Sequence, residues 1–159
     1  MGDATAKDPL IPLLYFVQGV LRTIHEIPSD KTSEALTRKS FSPEATIEIN
    51  QASMDRTGFG EFMQDYRNKY IFVDFAFHDA VTVPTDDEGR SGTVGVGIKA
   101  RAVGKVDGVL YEARLHEIFQ VEWIPSRGDS GGHRLITKLT GALKDLYPVQ
   151  DDSLCKSML

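Results

Sequence analysis

The chain has 159 residues and a mass of 17.6 kDa, enough for one domain with a core and a small internal cavity. A net charge of −5, a pI near 5.3 and the absence of any Lys/Arg cluster exclude nucleic acid and anionic membrane surfaces as natural partners. A single cysteine, Cys155, excludes an internal disulfide.

Residues 1–8 are polar and read as a loose start to a single domain over 1–159, with an ordered core at about 9–148. The longest apolar run, LIPLLYFVQGVL, is too short to span a bilayer and lacks the basic start and cleavage site of a signal peptide. A cytoplasmic protein is the expectation. The last residues, Ser157, Met158 and Leu159, depart from the Ser-Lys-Leu peroxisomal address because Met158 is not basic, so they read as a polar tail.

From Pro9 to about Ile27, the residues Leu10, Leu13, Leu14, Val17, Val20, Leu21 and Ile24 recur at helical spacing. Tyr15 and His25 lie at the edge of that stripe, where each either packs or is solvated at the surface, or else projects into a pocket. Pro28 with Ser29 and Asp30 stops the helix, and Ser33 to Arg38 forms a short second one. Ala45 to Asn50 alternates as a short strand, and Gln51 to Thr57 reads as a polar loop. Phe59 to Asn68 is an amphipathic helix with Phe59, Phe62, Met63 and Tyr66 on one side.

Residues 70–124 then read as three long strands in a meander, YIFVDFAFHDAVTV, GTVGVGIKARAVG and VLYEARLHEIFQVEW. A Gly/Ser/Asp-rich turn, PSRGDSGGH, leads to a last strand at about Arg134 to Leu139. Short turns between consecutive strands predict an α+β fold with a curved antiparallel sheet and helices on one face. The third strand divides into Tyr111, Ala113, Leu115, Glu117, Phe119, Val121 and Trp123 against Leu110, Glu112, Arg114, His116, Ile118, Gln120 and Glu122. The second set mixes ionisable with apolar groups, which suits a pocket wall, so it is assigned inward together with Phe72, Asp74, Ala76 and His78.

The element order, the Phe-Ser-Pro-Glu-Ala-Thr segment at 41–46 and the long hairpin from Gly92 to Trp123 resemble the cone-shaped fold of the nuclear transport factor 2-like superfamily. Within it the chain resembles SnoaL-like polyketide cyclases and the small cofactor-free isomerases and dehydratases of secondary metabolism, over about residues 10–142. That resemblance implies helices closing the mouth of a cone whose inner wall is the sheet. It also implies a homodimer through the outer sheet face, here expected to carry Val73, Phe75, Phe77, Leu115, Phe119 and Trp123.

The functional expectation is a cofactor-independent isomerase, cyclase or dehydratase of a hydrophobic polyketide- or terpenoid-like molecule. Asp74 and His116 are the expected acid–base pair, provided the first and third long strands are neighbours, with Arg114 holding a substrate oxygen. Tyr15, His25, Phe62, Met63, Tyr66, Phe72, His78, Glu112 and Ile118 are the expected substrate-binding residues. The competing reading of the catalytic set is structural, an internal Asp74–Arg114 ion pair with hydrogen-bonded histidines. The competing reading of the whole protein is a non-catalytic carrier or interaction module of the same fold. His25, His78, His116 and His133 lack metal-site spacing, so no metal is expected. Gly95 and Gly97 are not a dinucleotide fingerprint, and Gly-Asp-Ser-Gly-Gly at 128–132 matches a protease nucleophile stretch only as a string.

Overall fold

The computed structural model describes residues 10–128 and 131–149. In chain order these form α1 (Leu13–Glu26), α2 (Asp30–Ser40), β1 (Phe41–Ile49), β2 (Ala52–Met54), α3 (Arg56–Lys69), β3 (Tyr70–Pro84), β4 (Gly92–Gly104), β5 (Leu110–Pro125) and β6 (Gly132–Pro148). The start of the chain, part of the Gly-Asp-Ser-Gly-Gly turn and the tail holding Cys155 and Ser157 to Leu159 lie outside the described residues. No helix among the described residues is long and apolar enough to cross a membrane.

The helices form where the sequence supplies an apolar stripe, a side-chain cap, or both. The α1 stripe of Leu13, Val17, Val20, Leu21 and Ile24 is buried. The Ser29 hydroxyl accepts the Thr32 N–H at the start of α2, and the Asp55 carboxylate accepts the Gly58 N–H at the start of α3. The buried Arg67 on α3 donates to the carbonyls of Ile24, His25, Ile27 and Pro28, which satisfies the C-terminal end of α1 and locks α3 against it.

The six strands form one sheet in the order β2-β1-β6-β5-β4-β3. The α+β architecture is the expected one, with three differences in the strands. β1 pairs with β6 in parallel, so the sheet is mixed. The last strand is 17 residues long and runs on to Pro148, well past the expected end at Leu139. The Gln51–Thr57 segment is not all loop. Asn50 and Gln51 take positive φ angles of 51° and 69°, a two-residue turn that pairs β2 with β1. The Asn50 amide then clasps the Leu143 backbone from both sides, tying this hairpin to β6.

The two sheet faces are the reverse of the expected assignment. The helices pack on the face carrying Ala113, Phe119 and Val121, whose side chains join Val17, Leu21 and Ile24 in the core. Arg114, His116 and Ile118 therefore point outward, as does Glu112, which lies buried beneath its cationic partners. On β3 a bulge between Phe72 and Asp74 shifts the parity. Phe72, Phe75 and Phe77 pack inward, and Asp74, Ala76 and His78 are exposed. The expected dimer face of Phe75, Phe77, Leu115 and Phe119 is thus the inside of the domain, because those residues meet the apolar stripes of the chain's own helices.

Candidate active site

α1, α3 and the inner sheet face enclose a cavity of about 50 Å³. Leu21 and His25 reach it from α1, Phe62, Met63 and Tyr66 from α3, and Phe72 and Phe75 from β3. Leu115 and Glu117 of β5 close the far wall. Among the described lining residues there is no Lys or Arg, and the polar side chains are those of His25, Tyr66 and Glu117.

Glu117 is the singular feature of this cavity. It is 6% exposed, and its Oε2 has no hydrogen-bond partner among the described residues. Burial without a partner pushes its carboxyl up to about 7, from an ordinary 4.5. Its side chain has room because Gly141 stands opposite it on β6, where an added Cβ would come within 3.1 Å of Glu117 Cγ.

His25 is held by its own helix. Its Nδ1 lies 2.6 Å from the Leu21 carbonyl oxygen, so Nδ1 carries the hydrogen and Nε2 the lone pair. The ring packs against Phe72 and Phe75 at centroid distances of 5.0 and 4.8 Å. Desolvation lowers its pKa from 6.5 to about 4, and the nearby Arg67 charge adds to that shift. At neutral pH the cavity thus holds a neutral imidazole and a carboxyl group poised between its two forms. Such divergent environments for two titratable groups are what acid–base chemistry requires.

No protein-family model and no curated protein matches the sequence. The fold does have solved counterparts. A ketosteroid isomerase-like protein from Erwinia carotovora atroseptica superposes with a TM-score of 0.61 at 11% identity, covering 87% of this chain and 98% of that one. A hexachlorocyclohexane dehydrochlorinase gives 0.56 at 12% identity, covering 86% and 88%. Nuclear transport factor 2 from Cryptosporidium parvum gives 0.53 at 15% identity, covering 82% and 90%. The chain has the nuclear transport factor 2-like fold.

Within that fold the expected site residues separate into two groups. His25, Phe62, Met63, Tyr66 and Phe72 line the cavity. Asp74, His78, Glu112, Arg114, His116 and Ile118 belong to the outer sheet face, and Tyr15 projects from α1 with 61% of its surface exposed. The expected trio of Asp74, His116 and Arg114 is corrected on two counts. All three point away from the cavity, and β4 lies between β3 and β5, so Asp74 and His116 are not on adjacent strands.

The outer groups of this nuclear transport factor 2-like sheet are engaged with one another. Glu112 accepts the Tyr147 hydroxyl at 2.6 Å and meets Lys99 and Arg114 at 3.3 Å and Arg101 at 3.5 Å. The Tyr147 bond, seconded by Lys99 and Arg114, holds Glu112 down at about 2 against the opposing effect of burial. No internal Asp74–Arg114 pair forms, since Arg114 bonds to Glu112. His78 pairs with Asp79 at 3.0 Å, its ring lying edge-on to His116 at 5.8 Å, over Gly97.

Glu117 is the functional candidate the sequence reading passed over. It was placed on the correct strand, but among the residues of the face assigned to a dimer partner. The signal was present nonetheless: Glu117 is the single charged residue in the run Ala113, Leu115, Glu117, Phe119, Val121. A lone carboxylate on an otherwise dry face is more informative than a mixed face, because burying it is costly.

Proposed function

We propose that this chain is a cofactor-independent enzyme that moves a proton within a neutral hydrophobic molecule, isomerising, cyclising or dehydrating it. The observation carrying this reading is Glu117, buried and unpaired on the wall of an apolar cavity. A carboxyl group poised near 7 can remove a proton from carbon and return it elsewhere at neutral pH. His25 presents Nε2 as an acceptor for a substrate hydroxyl and so orients the reacting carbon beside Glu117. The absence of Lys and Arg from the described lining favours a neutral polyketide- or terpenoid-like molecule over an anion. A ketosteroid isomerase-like protein and a dehydrochlorinase among proteins of this fold support an enzyme here, though fold alone does not fix the reaction.

The test is exchange of carbon-bound hydrogen. Cyclic enones such as cyclohexenone, incubated with the protein in heavy water, are expected to lose α-hydrogen signal in proton NMR spectra. Glu117→Gln should slow that exchange by on the order of 10²–10⁴-fold while Asp74→Asn leaves it unchanged. Equal rates for the wild type and Glu117→Gln would remove the proposed base.

The second reading, a non-catalytic carrier or interaction module, is favoured by the cavity's 50 Å³ and by a transport factor of the same fold. It is the reading left standing if exchange is absent. In either case a second copy of the chain fits the outer sheet face. Ile71, Val73, Val81, Val83 and Ile118 are each more than half exposed there, on a scale seldom left in water. Sedimentation velocity over a concentration series should show a dimer, and Val81→Lys with Ile118→Lys should return it to monomer.

A further inference from the structure

The apolar cavity has a neighbour. On the other side of α3 a recess of about 220 Å³ opens between Asp65, Lys69 and Tyr70 and the end of β6 at Asp145. Phe62, Tyr66 and Leu146 line both spaces, so the partition between them is one side chain thick.

Tyr66 is the one polar side chain of that partition. It is half-buried, its ring meets Phe62 edge-on at 5.1 Å, and its hydroxyl donates to Asp145 Oδ1 at 2.9 Å. Asp145 is held ready by the fold. Arg114 pairs with Lys144 and Glu112 with Tyr147, so Asp145 and Leu146 together stand opposite the single residue Ala113. That bulge re-aims β6 locally, and Asp145 Oδ1 also accepts the Leu146 N–H at 2.7 Å. The carboxylate therefore stays in place when the phenol leaves. Lys69 and Asp65, only 3.8 Å apart but well exposed, form a loose pair that does not block the recess.

Size decides what this arrangement means. A cavity of about 50 Å³ holds a few water molecules, whereas a benzene ring occupies a cavity of about 150 Å³. A ring system at Glu117 needs more room than that, and displacing Tyr66, one of the three side chains shared by both spaces, would join the cavity to the recess. Moving Tyr66 also takes the phenolic donor from Asp145, whose exposed carboxylate is then open to water or to a ligand hydroxyl.

We propose that cavity and recess are the two halves of one binding site divided by Tyr66, and that its ligand is an elongated neutral amphiphile. Its apolar ring body displaces Tyr66 and lies against Phe72, Phe75 and Leu115, reaching Glu117. Its hydroxyl-bearing end stays in the recess and takes the phenol's place on Asp145. Two carboxylates and one ammonium in the recess disfavour an anionic end. The inference rests on the cavity being the substrate site and adds the class of substrate and the residue that admits it.

β-Naphthol and β-naphthoate, both fluorescent, serve as probes in equilibrium titrations read by emission. Tyr66→Phe keeps the ring and removes the hydrogen bond, and Tyr66→Ala removes the partition. Both should bind β-naphthol about tenfold tighter than the wild type, because the Tyr66–Asp145 bond no longer has to be broken. Ala113→Phe, which fills the cavity from β5, should cancel that gain in the Tyr66→Ala background. β-Naphthoate should bind all forms about tenfold more weakly than β-naphthol. Unchanged affinity in both Tyr66 variants, a gain insensitive to Ala113→Phe, or equal binding of the two probes would each overturn the proposal. These titrations do not depend on turnover. Loss of the proton-transfer reading through Glu117→Gln leaves them intact, and their failure leaves that reading standing.

Discussion

Glu117→Gln converts the buried carboxyl into a neutral group of nearly the same shape, and its signature should be a change in how stability depends on pH. The Glu117 carboxyl titrates at about 7 when folded and at 4.5 when free, so the native state binds its proton more tightly than the unfolded state does. Stability from this group is fully present below pH 4.5 and is lost as pH rises through 7. Between about pH 5 and about pH 8 the wild type should lose roughly 2–3 kcal/mol that Glu117→Gln does not lose. His25 works in the opposite direction, its stability falling as pH drops from 6.5 to 4, but it is common to both proteins and cancels in the comparison. For a chain of this size each kcal/mol shifts Tm by about 2–4 °C, so Glu117→Gln should gain about 4–12 °C on the wild type between the two pH values. Calorimetry at closely spaced pH values reads the difference directly. Parallel Tm curves would show that Glu117 is hydrated or paired in solution, and the argument for it as a base near neutrality would fail.

Arg67→Met should be the most damaging helix substitution, because it leaves the carbonyls at the end of α1 without their donor. A loss of roughly 3–5 kcal/mol is expected as a lower urea midpoint at unchanged slope. In any folded fraction the His25 resonances should titrate at higher pH, since the Arg67 charge that opposes its protonation is gone. Gly141→Ala places a methyl group 3.1 Å from Glu117 Cγ and should cost about 1–3 kcal/mol in chemical denaturation. It should also slow α-hydrogen exchange by about tenfold to hundredfold, and normal exchange would show that the position of Glu117 is not critical.

Most element types and their order are local properties, and the sequence alone determined all of them except the short β2. The α1 stripe from Leu13 to Ile24, the amphipathic α3 and the alternation of β3 to β5 each declare themselves within a dozen residues, since a side-chain period needs no long-range information. His25, Phe62, Met63 and Tyr66 were legible as cavity residues for the same reason, lying on or beside the apolar faces of their helices, whereas Phe72 was placed inward with a mixed face whose other members point outward.

Alternation defines two faces without saying which one the helices cover, and that choice belongs to tertiary packing. On β5 one face is apolar except for Glu117, while the other carries Glu112 hidden beneath Lys99, Arg101 and Arg114, whose long side chains let a charged surface look like a pocket wall. On β3 the first of two bulges, beside Val73, reverses the parity that would have taken Asp74 inward. Gly141, two residues past the strand end expected at Leu139, lies within β6 and is the space that lets Glu117 stand in the wall. Only the closed structure shows a carboxyl group cut off from water, because desolvation arises from every element around it at once.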